Sequence, residues 1–131
     1  MKGYIINIED ATKENENFRK VLYTAKHSQL VLMTLKPDEE IGEETHTLDQ
    51  FFRVESGLGK VIIDGVESEI KDGSAIVIPA GAKHNVINGP EGELKLYTIY
   101  SPPEHKDGIV HASKDDALTD HEDHFDGITS E

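Results

Sequence analysis

The sequence contains no cysteine and no tryptophan, and it has only two methionines in 131 residues. Without cysteine the protein has no disulfide bond, thiolate zinc site, iron–sulfur cluster or cysteine nucleophile, so any metal must bind through nitrogen and oxygen atoms. Long apolar runs are also missing, since no stretch approaches the roughly 18 uncharged apolar residues that a transmembrane helix needs. The first residues lack the apolar core and cleavage site of a secretory signal. We therefore expect a soluble, cytoplasmic protein without membrane contacts.

Positive charge is scarce in this chain. Thirteen Lys and Arg residues stand against 26 Asp and Glu residues, which gives a formal net charge of −13. Such a charge repels the phosphate backbone, so we predict that nucleic acid is not a partner. The length suits one domain built around one hydrophobic core.

Short β-like segments separated by turn residues dominate the first hundred residues. The segments are rich in β-branched and bulky apolar residues, as strands are. Asp64-Gly65 lies between two of them and is the strongest short-range signal for a tight hairpin. The predicted strands cover residues 4–8, 20–25, 30–35, 50–54, 60–64, 66–70, 74–78, 84–87 and 94–100. Nine strands without long intervening helices predict an all-β sandwich or barrel.

The composition changes after Pro102-Pro103, where apolar segments stop and His, Asp and Lys dominate. We place a domain boundary there, with a barrel over residues 1–103 and a His- and acid-rich extension over residues 104–131. Ser113 is a suitable helix cap before an acidic first turn, which predicts a short helix over about residues 114–121. His105 and His111 are expected to be exposed, with a lid over the barrel as the alternative.

Five residues at fixed spacing stand out between Gly73 and Asn88. Pro79 and Gly81 follow an apolar strand, and His84 and Asn88 then begin and end the next one. The spacing matches the pattern G-x5-P-x-G-x2-H-x3-N at every specified position. In this stretch the chain resembles the second motif of the cupin superfamily.

Residues 42–57 resemble the other cupin motif, in which two histidines and a glutamate bind a metal. His46 takes the place of the second histidine and Gln50 that of the glutamate, whereas Glu44 replaces the first histidine. The resemblance implies a double-stranded β-helix, or jelly-roll barrel, with one divalent metal held inside it by Glu44, His46, Gln50 and His84. Nitrogen and oxygen ligands suit Zn, Mn, Fe, Ni or Co and do not select among them.

The alternation of side chains along strands predicts the same arrangement. Residues two apart share a face of a strand, so Glu44 and His46 can point together into the barrel, as Gln50 does beside Phe52. Inward polar groups such as these and His84 are costly to bury unless they are paired or coordinated. A metal meets that condition. A hydrogen-bonded polar plug, or a ligand pocket without metal, is the alternative.

The candidate catalytic residues are Glu44, Tyr97 and Tyr100. Glu44 is a possible ligand or base, and one of the two tyrosines should face inward as a proton donor. The chain is loosely similar to single-domain cupins of the mannose-6-phosphate isomerase type, which implies a metal-dependent isomerase acting on a small polar molecule or sugar. A non-haem metal dioxygenase and a non-catalytic ligand-binding cupin are the alternatives. Open strand edges favour pairing between copies, so we also expect a homodimer.

Overall fold

The computed structural model describes residues 1–131 and contains two antiparallel sheets and two short helices. The helices are α1 (Ile8–Glu14) and α2 (Lys114–Thr119). The strands are β1 (Arg19–Thr24), β2 (Gln29–Leu35), β3 (Glu44–Thr45), β4 (Asp49–Ser56), β5 (Leu58–Ile63), β6 (Val66–Lys71), β7 (Ala75–Ile78), β8 (Lys83–Asn88), β9 (Leu94–Ser101) and β10 (Val110–His111). The predicted all-β class is confirmed.

The two sheets enclose one apolar core. Six strands form one sheet in the order β10-β1-β2-β9-β4-β7, and four form the other in the order β3-β8-β5-β6. Inward side chains from both sheets make a single cluster of 17 buried hydrophobic residues, among them Met33, Phe52 and Leu96 from one sheet and Val61 and Val86 from the other. Gln50 lies on the same face of β4 as Phe52, and His84 on the same face of β8 as Val86. The sequence pattern thus placed these polar side chains inside the barrel correctly.

All predicted strands except the first are present, with small shifts at their ends. The predicted hairpin at Asp64-Gly65 is confirmed, since both residues have the positive φ angles, 47° and 84°, that this turn requires. The strand predicted over residues 4–8 is wrong. Asn7 instead caps α1 by accepting a hydrogen bond from the amide of Asp10, and this start of a helix outweighs the β-branched residues before it. No helix in the protein has the length and apolar character to cross a lipid bilayer.

The segment beyond residue 103 returns to the barrel. Its strand β10 pairs with β1, where His111 lies opposite Arg19. The predicted helix in this segment is present as α2, with Ser113 as its cap, and it ends at Thr119. The expectation that His105 and His111 are exposed is wrong, because only 7% and 4% of their surfaces are accessible.

Two residues of the motifs hold strands in place without contacting the predicted ligands. The Asn88 side chain donates from Nδ2 to the backbone oxygens of Leu35, Lys36 and Gly92, at 3.0, 2.9 and 2.7 Å. Gly57 has a φ of +102°, and a Cβ at this position would lie 2.5 Å from the carbonyl oxygen of Glu93. Asn88 therefore ties the end of β8 to the chain after β2, and Gly57 permits a close backbone contact.

Candidate metal centre

Glu44, His46 and His84 meet inside one end of the barrel. Glu44 in β3 lies directly opposite His84 in β8, and His46 follows one residue after β3. One ligand atom from each of the three side chains lies within 4.8 Å of the others. The two imidazole rings are 5.3 Å apart between centroids. This group can hold a metal ion.

His84 presents a free nitrogen to the cluster. Its Nδ1 lies 2.9 Å from the carbonyl oxygen of Ala82. A carbonyl oxygen only accepts, so this contact assigns the proton of the neutral ring to Nδ1 and leaves a lone pair on Nε2. The side chain is 3% exposed and its Nε2 has no hydrogen-bond partner.

Gln50 also presents a free acceptor. Its amide nitrogen donates to the hydroxyl of Thr98 at 3.1 Å, which directs the amide oxygen away from Thr98. That oxygen is buried and has no partner. Gln50 lies opposite Tyr100 in the pairing of β4 with β9, so the amide stands on the inner wall near the tyrosine.

The His46 ring lies between two carboxylates. Its Nε2 is 3.3 Å from Oε2 of Glu44, without the alignment of a hydrogen bond, and its Nδ1 is 3.7 Å from Oε2 of Glu104. His46 Nε2, Gln50 Oε1 and His84 Nε2 are thus three buried polar atoms without a hydrogen-bond partner. Such atoms are rare in folded proteins and need an explanation. Two imidazole nitrogens grouped with the Glu44 carboxylate fit a divalent cation, and the unpartnered amide oxygen of Gln50 is a further oxygen donor on the inner wall.

The charges at this centre favour a cation. Burial opposes the ionisation of Glu44, but its contact with the His46 imidazole and the nearby charges outweigh burial and hold the pKa of Glu44 below its ordinary value. The same contact raises the pKa of His46 against the opposing effect of burial. Glu44 is therefore a carboxylate at neutral pH, as an oxygen ligand for a metal must be.

The two candidate tyrosines lie on opposite faces of β9. Tyr100 is buried, with its ring 6.1 Å from that of His46 and its hydroxyl 3.2 Å from Nε2 of His105. Burial raises the pKa of Tyr100 far above its ordinary value, so the phenol keeps its proton. Tyr97 faces outward and packs against Phe51 at 6.2 Å between ring centroids. The structure brings Tyr100 to the cluster and does not bring Tyr97.

The last thirty residues and β1 bring to this end of the barrel further groups that were not among the predicted site residues. The Nδ1 of His105 lies 2.7 Å from Oδ2 of Asp123, and the other carboxylate oxygen of Asp123 accepts the amide of Lys106 at 3.0 Å. Burial lowers the pKa of His105 despite this carboxylate. Asp123, His105 and Tyr100 therefore form one hydrogen-bonded chain that leads to the metal centre.

The inward position of Arg19 could have been predicted from the sequence. Arg19 stands two positions before Val21, whose side chain belongs to the core, and it lies opposite Met33, also in the core. The period of two along a strand predicts that Arg19 faces inward. The predicted strand began one residue too late to include it.

Comparison with known proteins agrees with this geometry. The family model of the cupin domain matches residues 31–100, which is more than half of the chain. The protein belongs to the cupin family. This cupin is 47% identical over 124 residues to the uncharacterized protein YrkC of Bacillus subtilis, a match that covers 89% of this chain and 67% of that protein. The crystal structure of the protein BH2720 from Bacillus halodurans resembles the cupin with a TM-score of 0.87 and 45% identity, over 89% of this chain and 94% of that one.

A third relative of the cupin has a named activity. Dimethylsulfoniopropionate lyase DddW of Ruegeria pomeroyi is 41% identical over 65 residues, which cover 50% of this chain and 43% of the lyase. The family predicted from the two motifs is thus confirmed, and the cupin fold with it.

Proposed function

We propose that this cupin binds one divalent metal ion inside its barrel and transfers a proton at a carbon next to a carbonyl or carboxyl group of a small polar molecule. Isomerisation of a sugar, the reaction that the loose similarity to isomerase-type cupins implies, is one reaction of this class. The observation that carries the proposal is the set of buried polar atoms without a hydrogen-bond partner on His46, Gln50 and His84, together with the grouping of Glu44, His46 and His84.

Two of the four proposed ligands, His84 and Gln50, are held from their other side by a hydrogen bond. His46 and His84 would bind the metal through Nε2, Gln50 through its amide oxygen and Glu44 through its carboxylate. The carbonyl of Ala82 orients His84 and the hydroxyl of Thr98 orients Gln50, and such supporting hydrogen bonds fix metal ligands in the geometry of binding. A metal bound here would supply Lewis acidity that polarises a carbonyl oxygen.

Tyr100 and His105 are suited to handle the proton. Because burial lowers the pKa of His105, its ring is neutral, with the proton on Nδ1 shared with Asp123 and with Nε2 free to accept from Tyr100. Tyr100 keeps its proton and can donate it to a substrate oxygen. Glu44, the ionised carboxylate at the centre, acts as a ligand or as the base that removes the proton from carbon.

Similarity to the lyase widens the class of reaction. An elimination and a sugar isomerisation can share their first step, which removes a proton next to a carbonyl or carboxyl group. The same groups at the centre would serve both reactions. The similarity to DddW therefore supports proton transfer at carbon and adds β-elimination to the reactions to be tested.

The test follows deuterium incorporation from heavy water by NMR, without oxygen, for short aldoses, ketoses and 3-substituted carboxylates. We expect the zinc- or manganese-loaded wild type to exchange protons next to the carbonyl of at least one compound, and the double variant His46→Ala/His84→Ala to exchange none. Oxygen consumption in a parallel aerobic assay, without exchange, would favour the dioxygenase, and binding without turnover would favour a non-catalytic cupin. Turnover that survives the double change contradicts the proposal.

Gln50 sets the charge of the centre. Changing Gln50→Glu adds a negative charge at a buried ligand position, and Thr98 can turn its hydroxyl to donate to the new carboxylate. We expect zinc affinity to rise about tenfold, or about 1.4 kcal/mol, measured by competition with a chromophoric chelator. The neutral and apolar variant Gln50→Leu should bind zinc more weakly than the wild type. Equal affinities for all three proteins would show that residue 50 does not bind the metal.

A further inference from the structure

Arg19 is a buried cation without a carboxylate partner. Only 8% of the residue is exposed, and its Nε is buried with no hydrogen-bond partner. One terminal nitrogen lies 3.3 Å from Nδ1 of His111, and the guanidinium stands 5.3 Å above the ring of Phe18. Arg19 takes part in none of the ten ion pairs within 4.0 Å. Buried charges are costly unless they are paired, so this guanidinium requires an anion.

Arg19 lines a cavity that extends to the metal centre. The cavity has a volume of about 330 Å³, within the range of small-molecule sites. Arg19 and Phe18 of the β1 side, Glu44 of the metal centre, and His105 and Asp123 of the returning segment are among its walls. A molecule in this space can contact the guanidinium and the Glu44 carboxylate at the same time.

The acidic side chains around the cavity already have partners. Asp123 contacts His105 at 2.7 Å, and Asp120 contacts His111 at 3.0 Å. Glu44 contacts His46. Arg19 is the buried charged group of this wall that lacks a partner of opposite sign; Lys114 also lines the cavity without an ion pair, but it is only half-buried. His111 occupies one terminal nitrogen, whereas Nε has no partner, so the guanidinium keeps donors that can bind two oxygens of one anion, as it does in a fork.

We propose that Arg19 binds the carboxylate or phosphate of the substrate in this cavity, so that the cupin acts on small anionic molecules. The inference rests on the proposed metal centre, because Arg19 and Glu44 both line the cavity. The planar fork matches both kinds of anion. Separate arms of the experiment distinguish a carboxylate from a phosphate.

The experiment uses isothermal titration of the zinc-loaded full-length protein with three probes: glycolate, glycerol 3-phosphate and ethylene glycol. We expect one of the two anions to bind and the neutral diol not to bind. Arg19→Met should weaken that binding at least tenfold, because a hydrogen-bonded charge pair is lost. Arg19→Lys keeps the charge but lacks the planar guanidinium, so its anion affinity should fall between those of the wild type and Arg19→Met. Lys60→Met removes an exposed charge that faces Glu67 and should bind as the wild type does.

The zinc content of each variant distinguishes a failure of the Arg19 proposal from a failure of the proposed metal site. Arg19→Met should keep the wild-type zinc content, since Arg19 is not a ligand. Loss of the anion with retention of zinc supports the role of Arg19. Equal anion affinity in the wild type, Arg19→Met and Arg19→Lys overturns the role of Arg19. A wild type that binds zinc and neither anion overturns it too. Both results leave the metal proposal intact. A wild type that binds no zinc overturns the metal proposal instead. If Arg19→Met does not fold, Arg19→Lys alone decides between these outcomes.

Discussion

Replacing His84 with alanine is expected to weaken divalent metal binding by more than about 100-fold, a loss beyond the 10- to 100-fold range for groups that only support ligands. The Nε2 of His84 is one of two imidazole nitrogens at the centre, and the residue opposite it in the pairing of β3 with β8 is Glu44, itself a proposed ligand. After dialysis against zinc, the zinc content measured by elemental analysis should fall from about one equivalent in the wild type to less than a tenth in the variant. At 100 times the dissociation constant, zinc should stabilise the wild type by about 2.7 kcal/mol, and the variant should show no such gain.

Loss of a buried side chain can lower stability without any metal, so this prediction needs a matched control. His111 is 4% exposed and His84 3%, but His111 lies outside the cluster and contacts Arg19 and Asp120. His111→Ala should therefore lose stability while it keeps its zinc. If His84→Ala retains a full equivalent, or if both variants lose zinc equally, His84 is not a ligand.

Gly57→Ala is expected to lower the free energy of unfolding by about 3 kcal/mol. The new Cβ would lie 2.5 Å from the carbonyl oxygen of Glu93 and 3.0 Å from Cα of Leu94, and neither backbone atom can move away cheaply. Overpacking of this kind costs about 1–3 kcal/mol. The φ of +102° adds about 1–2 kcal/mol for a residue with a Cβ. Thermal unfolding followed by circular dichroism should show the melting temperature fall by about 10 °C.

Gly73→Ala isolates the backbone part of this effect. Gly73 also has a positive φ, +89°, but a Cβ there would meet nothing within 4 Å. The control should therefore lose only about 1 kcal/mol. Equal losses in the two variants would mean that the contact with Glu93 does not limit position 57, and that conformation alone explains the glycine.

Local patterns sufficed to predict the barrel and the centre of the site. Alternation with period two placed Gln50, His84 and their apolar neighbours on inner faces, because a strand has only two faces and one of them is buried. The spacing from Gly73 to Asn88 indicated the family, since turns and strand lengths fix those positions. The error at residues 4–8 arose where β-branched residues stand directly before a capped helix.

The other half of the site depends on contacts between distant parts of the chain. His105 reaches Tyr100 only because Asp123 compensates its burial and β10 pairs with β1. Nothing in the composition of residues 104–131 sets that pairing, which joins residues about ninety positions apart. The same holds for Arg19, whose cavity exists only after the returning segment has docked. Sequence alone therefore indicated the candidate ligands better than the groups around the proposed substrate cavity.

The pairing of β10 with β1 also bears on how the protein matures on the ribosome. A polypeptide emerges with its amino end first, so Arg19 leaves the ribosome long before His111, its partner in the ladder. Contacts of such large sequence separation form late in folding. The nascent barrel should therefore keep an open mouth, with the guanidinium in water, until the residues from His105 to Asp123 have been synthesised. An incompletely translated chain can fold most of its strands and still lack the pocket.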